Sequence, residues 1–213
     1  TKKFQRLDMI IMKGRSYKLS ISDVIDGVTV EASAVTNTPK EAVEIDTSRS
    51  RLESFHVFDK YENGEYKYFE VCWKFDPEAS CYIFSKESIK MTDSNRIWGM
   101  NNEAYEQMRA KYGNFFTWRR GNTVEILYAK DRSGEYYSHI IEAILFAYHG
   151  AQRFIVTTGD KNFYDYINLP REVVDVDGNH FEPKYHVSGQ AIGVFGSIVS
   201  DTVEVMLLPE KSE

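Results

Sequence analysis

His139, Glu142 and His149 are the residues whose types and spacing come closest to a metal or acid–base site. If 135–149 is a helix, a rotation of roughly 100° per residue gathers all three within about 80° of arc. Imidazoles and a carboxylate held that way can ligate a divalent cation or move a proton. The same arc carries Glu135 and Ser138, while Ile140, Ile141, Ala143, Ile144 and Leu145 fill the opposite side. That is the polar face of an amphipathic helix, and the spacing matches no zinc-protease signature. The cluster is read as solvated, and neither a metal nor a cofactor is expected.

Other motifs fail on their own mechanics. Asp175, Asp177, Asn179 and Glu182 suggest a calcium loop, but Gly178 stands fourth where an EF-hand needs its glycine sixth. Gly189, Gly193 and Gly196 lie in a strand-like stretch with no helix following, so they read as bulges or close backbone packing rather than a phosphate loop. His186-Val-Ser188 lacks the second copy that a two-histidine phosphoesterase requires. No G-x-S-x-G elbow occurs, and no cysteine sits beside a base. Cys72 and Cys81 form neither a disulfide framework nor a zinc set and read as buried thiols.

Two features keep a chemical rationale. At 130–134, Lys130, Arg132, Ser133 and Gly134 stand where a strand would pass into the helix 135–149. Helix N-termini at strand ends offer unpaired N–H groups to anions, and Thr157 and Thr158 would bring hydroxyls to the same edge. A phosphate-bearing small molecule fits that chemistry, as substrate or as ligand, but a solvated, capped turn is the preferred explanation of these residues. Separately, Phe116, Trp118, Arg119 and Arg120 interleave aromatic rings with cations. Such a patch anchors protein interfaces or stacks nucleobases, and a core strand ending in a charged turn accounts for it as well as an interface does and better than nucleic-acid binding.

These residues need elements to hold them. Asp26-Gly27 between two alternating runs is a type I′ hairpin signal, pairing Ile25 with Val28, Ile21 with Ala32 and Leu19 with Ala34 on one face; Asp23 opposite Val30 breaks the pattern. Asn63-Gly64 predicts a second hairpin, with Tyr61 opposite Tyr66, Phe58 opposite Phe69 and His56 opposite Val71. Its core face carries Phe69, Val71, Trp73 and Phe75, and a strand over 80–84 extends the sheet. A helix is expected over 101–112, then a β-α-β unit over 123–158 with the helix 135–149 as its crossover. A closing antiparallel pair is predicted over 191–198 and 202–208. The fold class is α+β, an antiparallel, hairpin-rich mixed sheet in a single domain 1–213 with a polar loop over 36–53.

Composition narrows the function classes. The 213 residues have ordinary globular hydrophobic and charged content, but 14 Tyr, 13 Phe and 3 Trp favour β-rich cores and contact surfaces. A net charge of −6 disfavours nucleic acid as a partner, and no apolar run is long enough for a membrane span. The chain is therefore read as a non-enzymatic interaction or assembly protein, such as a viral structural or accessory subunit, with a protein partner or itself as the partner. Its expected location is the cytoplasm, or the host cytoplasm or virion if viral. An enzyme or binding protein for a phosphate-bearing molecule, and a nucleic-acid binder using 115–120, are the alternatives.

Overall fold

The structure, a computed structural model, describes residues 10–76, 79, 81–97, 107, 110–111, 123–128, 135–142, 145–167, 186–191 and 193–211. Among these, ten strands run in order: β1 (Ser16–Ile25), β2 (Val28–Asn37), β3 (Phe55–His56), β4 (Tyr68–Lys74), β5 (Cys81–Ser88), β6 (Thr123–Tyr128), β7 (Tyr136–Glu142), β8 (Gly150–Gly159), β9 (Val187–Gly189) and β10 (Ile198–Leu208). A short helix, α1 (Lys161–Ile167), follows β8. The chain clusters into two compact units, Thr1–Ala42 with Gly159–Val199 and Val43–Thr158 with Ser200–Glu213.

In the first unit the sheet order is β1-β2-β9. Asp26 (φ 52°) and Gly27 (φ 78°) both occupy left-handed backbone, as a type I′ turn requires. The predicted register follows: Ile25 faces Val28, Ile21 faces Ala32, Leu19 faces Ala34, and Asp23 faces Val30. Gly189 marks a close approach, since a Cβ there would lie 2.3 Å from the Glu31 carbonyl oxygen. Asp160 is the polar node of this unit. One carboxylate oxygen caps α1 by accepting the Phe163 N–H at 3.0 Å and also accepts the Ser197 N–H at 3.2 Å. The other accepts the Thr36 hydroxyl proton at 2.5 Å, so one side chain ties β2, α1 and the 193–197 segment.

The second unit contains a five-stranded sheet, β3-β10-β8-β5-β6, and a β4–β7 pair. The inward residues of β4 (Phe69, Val71 and Trp73) are wholly buried, as their alternation predicts. Around them lie Phe55, Phe146 and Phe154, with ring centroids 4.5–5.8 Å from Phe69, and Tyr137 stacked on Trp73 at 4.8 Å. Cys72 and Cys81 are buried free thiols.

Four expectations need correction. Within the helix expected over 135–149, residues 136–142 are instead β7, paired residue for residue with β4 from Tyr68–Glu142 to Lys74–Tyr136, and no α-helix occurs among residues 145–149. Tyr and Ile favour a strand as readily as a helix face, and β4 needs a hydrogen-bonding partner. The β-α-β unit goes with it, because β6 and β8 are not joined by a crossover helix but lie on either side of β5, each antiparallel to it. At Asn63-Gly64 only Gly64 has positive φ, and the Gly64 N–H donates to the Tyr61 carbonyl. That is a type I turn with a bulge, which pairs Lys60 rather than Tyr61 with Tyr66 and sends Phe55-His56 to β10. Finally, 198–208 is one continuous strand without a turn at Ser200-Asp201. There the Ser200 hydroxyl meets that of Thr157, and the Asp201 carboxylate accepts the Ile45 N–H. In the predicted helix 101–112, Gln107, Ala110 and Lys111 are helical and the remainder lies outside the described residues. Within the predicted loop 36–53, Ile45 bridges Trp73 and Arg51 bridges Glu70, with the Arg51 guanidinium over the Tyr61 and Tyr68 rings.

Lys86 is the anomaly of this core. It is 1% exposed, its ammonium donates to the Leu145 carbonyl at 2.7 Å, and it lies 4.6 Å from the Phe146 ring centre. Burial lowers its pKa from 10.5 to about 8. The unfolded chain therefore binds the Lys86 proton more tightly than the native protein. The penalty is full below pH 8 and fades as pH rises toward 10.5. Burial raises the Cys81 thiol to about 11 and the Tyr82 phenol to about 12, effects of opposite sign at higher pH. Comparison with a variant isolates the lysine. Lys86→Met should stabilise the protein at pH 7 by about 3 kcal/mol in chemical denaturation, and its advantage over wild type should shrink between pH 8 and 10.5. An advantage independent of pH would contradict the assignment. Asp160→Ala, which removes the α1 cap and three further acceptor contacts, should cost about 2 kcal/mol and lower the protection of α1 and β2 amides in hydrogen exchange.

Candidate protein-interaction surface

The β1–β2 hairpin carries apolar residues that nothing in its own sheet covers. β9 pairs with β2 only at Ala32, Ser33 and Ala34. Gln190, just past β9, exchanges hydrogen bonds with Glu31; from Asp23 to Val30, toward the turn, the sheet is two strands wide among the described residues. Val24, Ile25 and Val28 are 63%, 57% and 60% exposed there, and Ile21 is half exposed. Val24 lies on one face and Ile25 and Val28 on the other, so the ribbon shows apolar surface on both sides. An isolated two-stranded ribbon is marginal in water, and its exposed apolar residues gain most by being covered.

The two faces differ nearer β9. Leu19 and Ile21 share one face with Ala32 and Ala34 of β2. The other is polar: Ser20, Ser33 and Ser188 stand in register across all three strands. With Lys18 and Glu31 they line an open cavity of about 480 Å³. Hydroxyls in such a row both donate and accept, with one charge of each sign beside them.

Among the described residues β1 is also the edge of its sheet. The Thr38 N–H donates to the Arg15 carbonyl, which places Arg15 and every second residue after it in hydrogen-bonded pairs with β2. Lys18, Ser20, Ser22 and Val24 therefore direct their main-chain groups outward. Of these, the Val24 N–H is met by the Asp23 carboxylate at 2.9 Å.

Of the residues singled out from the sequence, Thr157, Thr158, His139, Glu142 and His149 fall among the described residues. Lys130, Arg132, Ser133 and Gly134, and likewise Phe116, Trp118, Arg119 and Arg120, lie outside the described residues. The helix whose N-terminus was to hold an anion is strand β7. Thr157 and Thr158 are buried neighbours on β8 facing opposite ways, one bonded to the Ser200 hydroxyl and the other donating to the Cys81 carbonyl. His139 packs against the Phe84 ring at 4.4 Å, and Glu142, three positions along the same strand, faces the other side. The His149 main-chain N–H is bonded to Asn95. Among the described residues no group of His, Cys, Asp and Glu could hold a metal ion, and no helix is long and apolar enough to cross a membrane.

Sequence pattern identified the paired residues of the ribbon but not its exposure. The available signal was the alternation of Ser20 and Ser22 with Leu19 and Ile21, which gives one strand a polar face and an apolar one. No family model, curated protein or solved structure matches the chain, so the geometry alone carries the functional reading.

The register is open to a direct check. Ser20 and Ser33 oppose each other without exchanging hydrogen bonds, a position where Cα atoms lie about 4.5 Å apart. Ser20→Cys with Ser33→Cys should form a disulfide in air, detected by thiol titration and peptide mass. Ser20→Cys with Ala32→Cys, whose side chains face opposite ways, should stay reduced.

Proposed function

We propose that this chain is a non-enzymatic interaction or assembly protein, a structural or accessory subunit that works through protein–protein contacts made by the β1–β2 ribbon. One observation carries the reading: Val24, Ile25 and Val28 are more than half exposed where, among the described residues, the ribbon is two strands wide, and Ile21 is half exposed beside them. Burying apolar surface of this kind against another chain contributes roughly 25 cal/mol per Å². An acidic chain of net charge −6 favours a protein surface over a nucleic acid backbone. Thr157 and Thr158, the hydroxyls offered to a phosphate ligand, already bond within their own unit, so the enzyme alternative gains nothing from them.

Association is the property to measure. Light scattering after size exclusion should give a mass above that of the monomer, rising with concentration. Ile21→Thr, Ile25→Thr and Val28→Thr together keep β-branched residues in the strands while removing apolar surface. This triple variant should weaken association roughly tenfold or more with the second unit still folded. Association that ignores the triple change would rule out the ribbon as its source.

A further inference from the structure

We infer that β1 pairs with β1 of a second copy of this chain, antiparallel about a two-fold axis through Leu19; this rests on the ribbon reading above and specifies its partner. Because Arg15, Tyr17, Leu19, Ile21 and Asp23 turn their main-chain groups toward β2, Lys18, Ser20 and Ser22 present theirs at an exposed edge with which no other described strand pairs. A strand with such an edge is a template for another strand, here β1 of a second copy.

Side chains choose the register. A two-fold axis perpendicular to the sheet keeps each residue on its own face, so residues of equal parity oppose each other. With the axis at Leu19, Leu19 meets Leu19 of the second copy, Tyr17 meets Ile21, and Arg15 meets Asp23. Three apolar pairs are then flanked at both ends by opposite charges, all on one face. Lys18 opposes Ser20 and Ser16 opposes Ser22 on the other face, and these pairs exchange main-chain hydrogen bonds. Moving the axis to Ser20 sets Asp23 against Tyr17 and Arg15 against Ile25. Moving it to Ile21 sets Asp23 against Leu19, and at Asp23 it opposes two carboxylates. Only the Leu19 axis matches apolar with apolar and charge with counter-charge. It also gives the ribbon what it lacks, because the second copy's residues 14–16 become a third strand beside Ser22, Asp23 and Val24.

Sedimentation equilibrium on the full chain tests this. Wild type should be a dimer. Ser20→Pro removes only an edge N–H that β2 does not use, so the variant should be monomeric with an unchanged melting temperature. Arg15→Glu and Asp23→Arg should each weaken the dimer roughly tenfold. An equimolar mixture of these two variants, in which both charged pairs are again complementary, should recover wild-type affinity. Amides of Lys18, Ser20 and Ser22 should gain hydrogen-exchange protection with concentration. A dimer abolished by the ribbon triple variant but indifferent to Ser20→Pro and to the charge reversals would overturn the β1 pairing and leave the ribbon reading standing. A chain that is monomeric at every concentration would overturn both.

Discussion

Phe69, Val71 and Trp73 must leave water together, on one face of one strand, and the second unit is arranged around that requirement. Full burial of each such side chain is worth about 2–3 kcal/mol, whereas the helix preferences of individual residues differ by only about 0.7 kcal/mol. The face is covered by Phe55, Phe146, Phe154 and Tyr137. Covering a strand does not satisfy its edges. β4 needs a hydrogen-bonded neighbour along its length, and residues 136–142 meet that need as β7. A helix there would leave Trp73 without its stacked tyrosine and β4 without its ladder.

The same core admits polar groups only where each finds a partner. Gln152 is fully buried, accepts the Ser88 hydroxyl proton and donates to the Tyr148 carbonyl. Lys86 lies in the same inward row of β5 as Tyr82, Phe84 and Ser88, with its stem in apolar surroundings and its ammonium on a carbonyl and an aromatic face. Those contacts reduce the cost of burying a charge without cancelling it, hence the depressed pKa.

The β1–β2 ribbon stands at the opposite limit. Its conformation is set locally, by two residues with positive φ and a ladder that zips from them. Apolar pattern and turn chemistry agree there, so the register needs no help from a core. What the ribbon lacks among the described residues is cover, since β9 and Gln190 support only Glu31, Ala32, Ser33 and Ala34 of β2. An element well specified in itself and unfinished as packing is the physical basis for reading it as a contact surface.

The amino-acid sequence by itself determined what nearest neighbours can decide. Asp26-Gly27 admits one tight turn, and a two-residue loop leaves one register. The alternation in β4, the strands β6 and β8 and the buried thiols were legible for similarly local reasons. Asn63-Gly64 was less so, because the same dipeptide serves a type I′ turn or a type I turn with a glycine bulge, and the two differ by one residue of register. Residues 135–149 carry a helical period and strand-forming side chains at once, so the partner strand decided between them. Ser200-Asp201 looks like a turn until Thr157 and the Ile45 N–H engage those side chains within a continuous strand. Exposure of Leu19, Ile21 and Ile25 was likewise beyond the sequence: an alternating strand states which residues share a face, and only the tertiary structure decides whether anything lies on it.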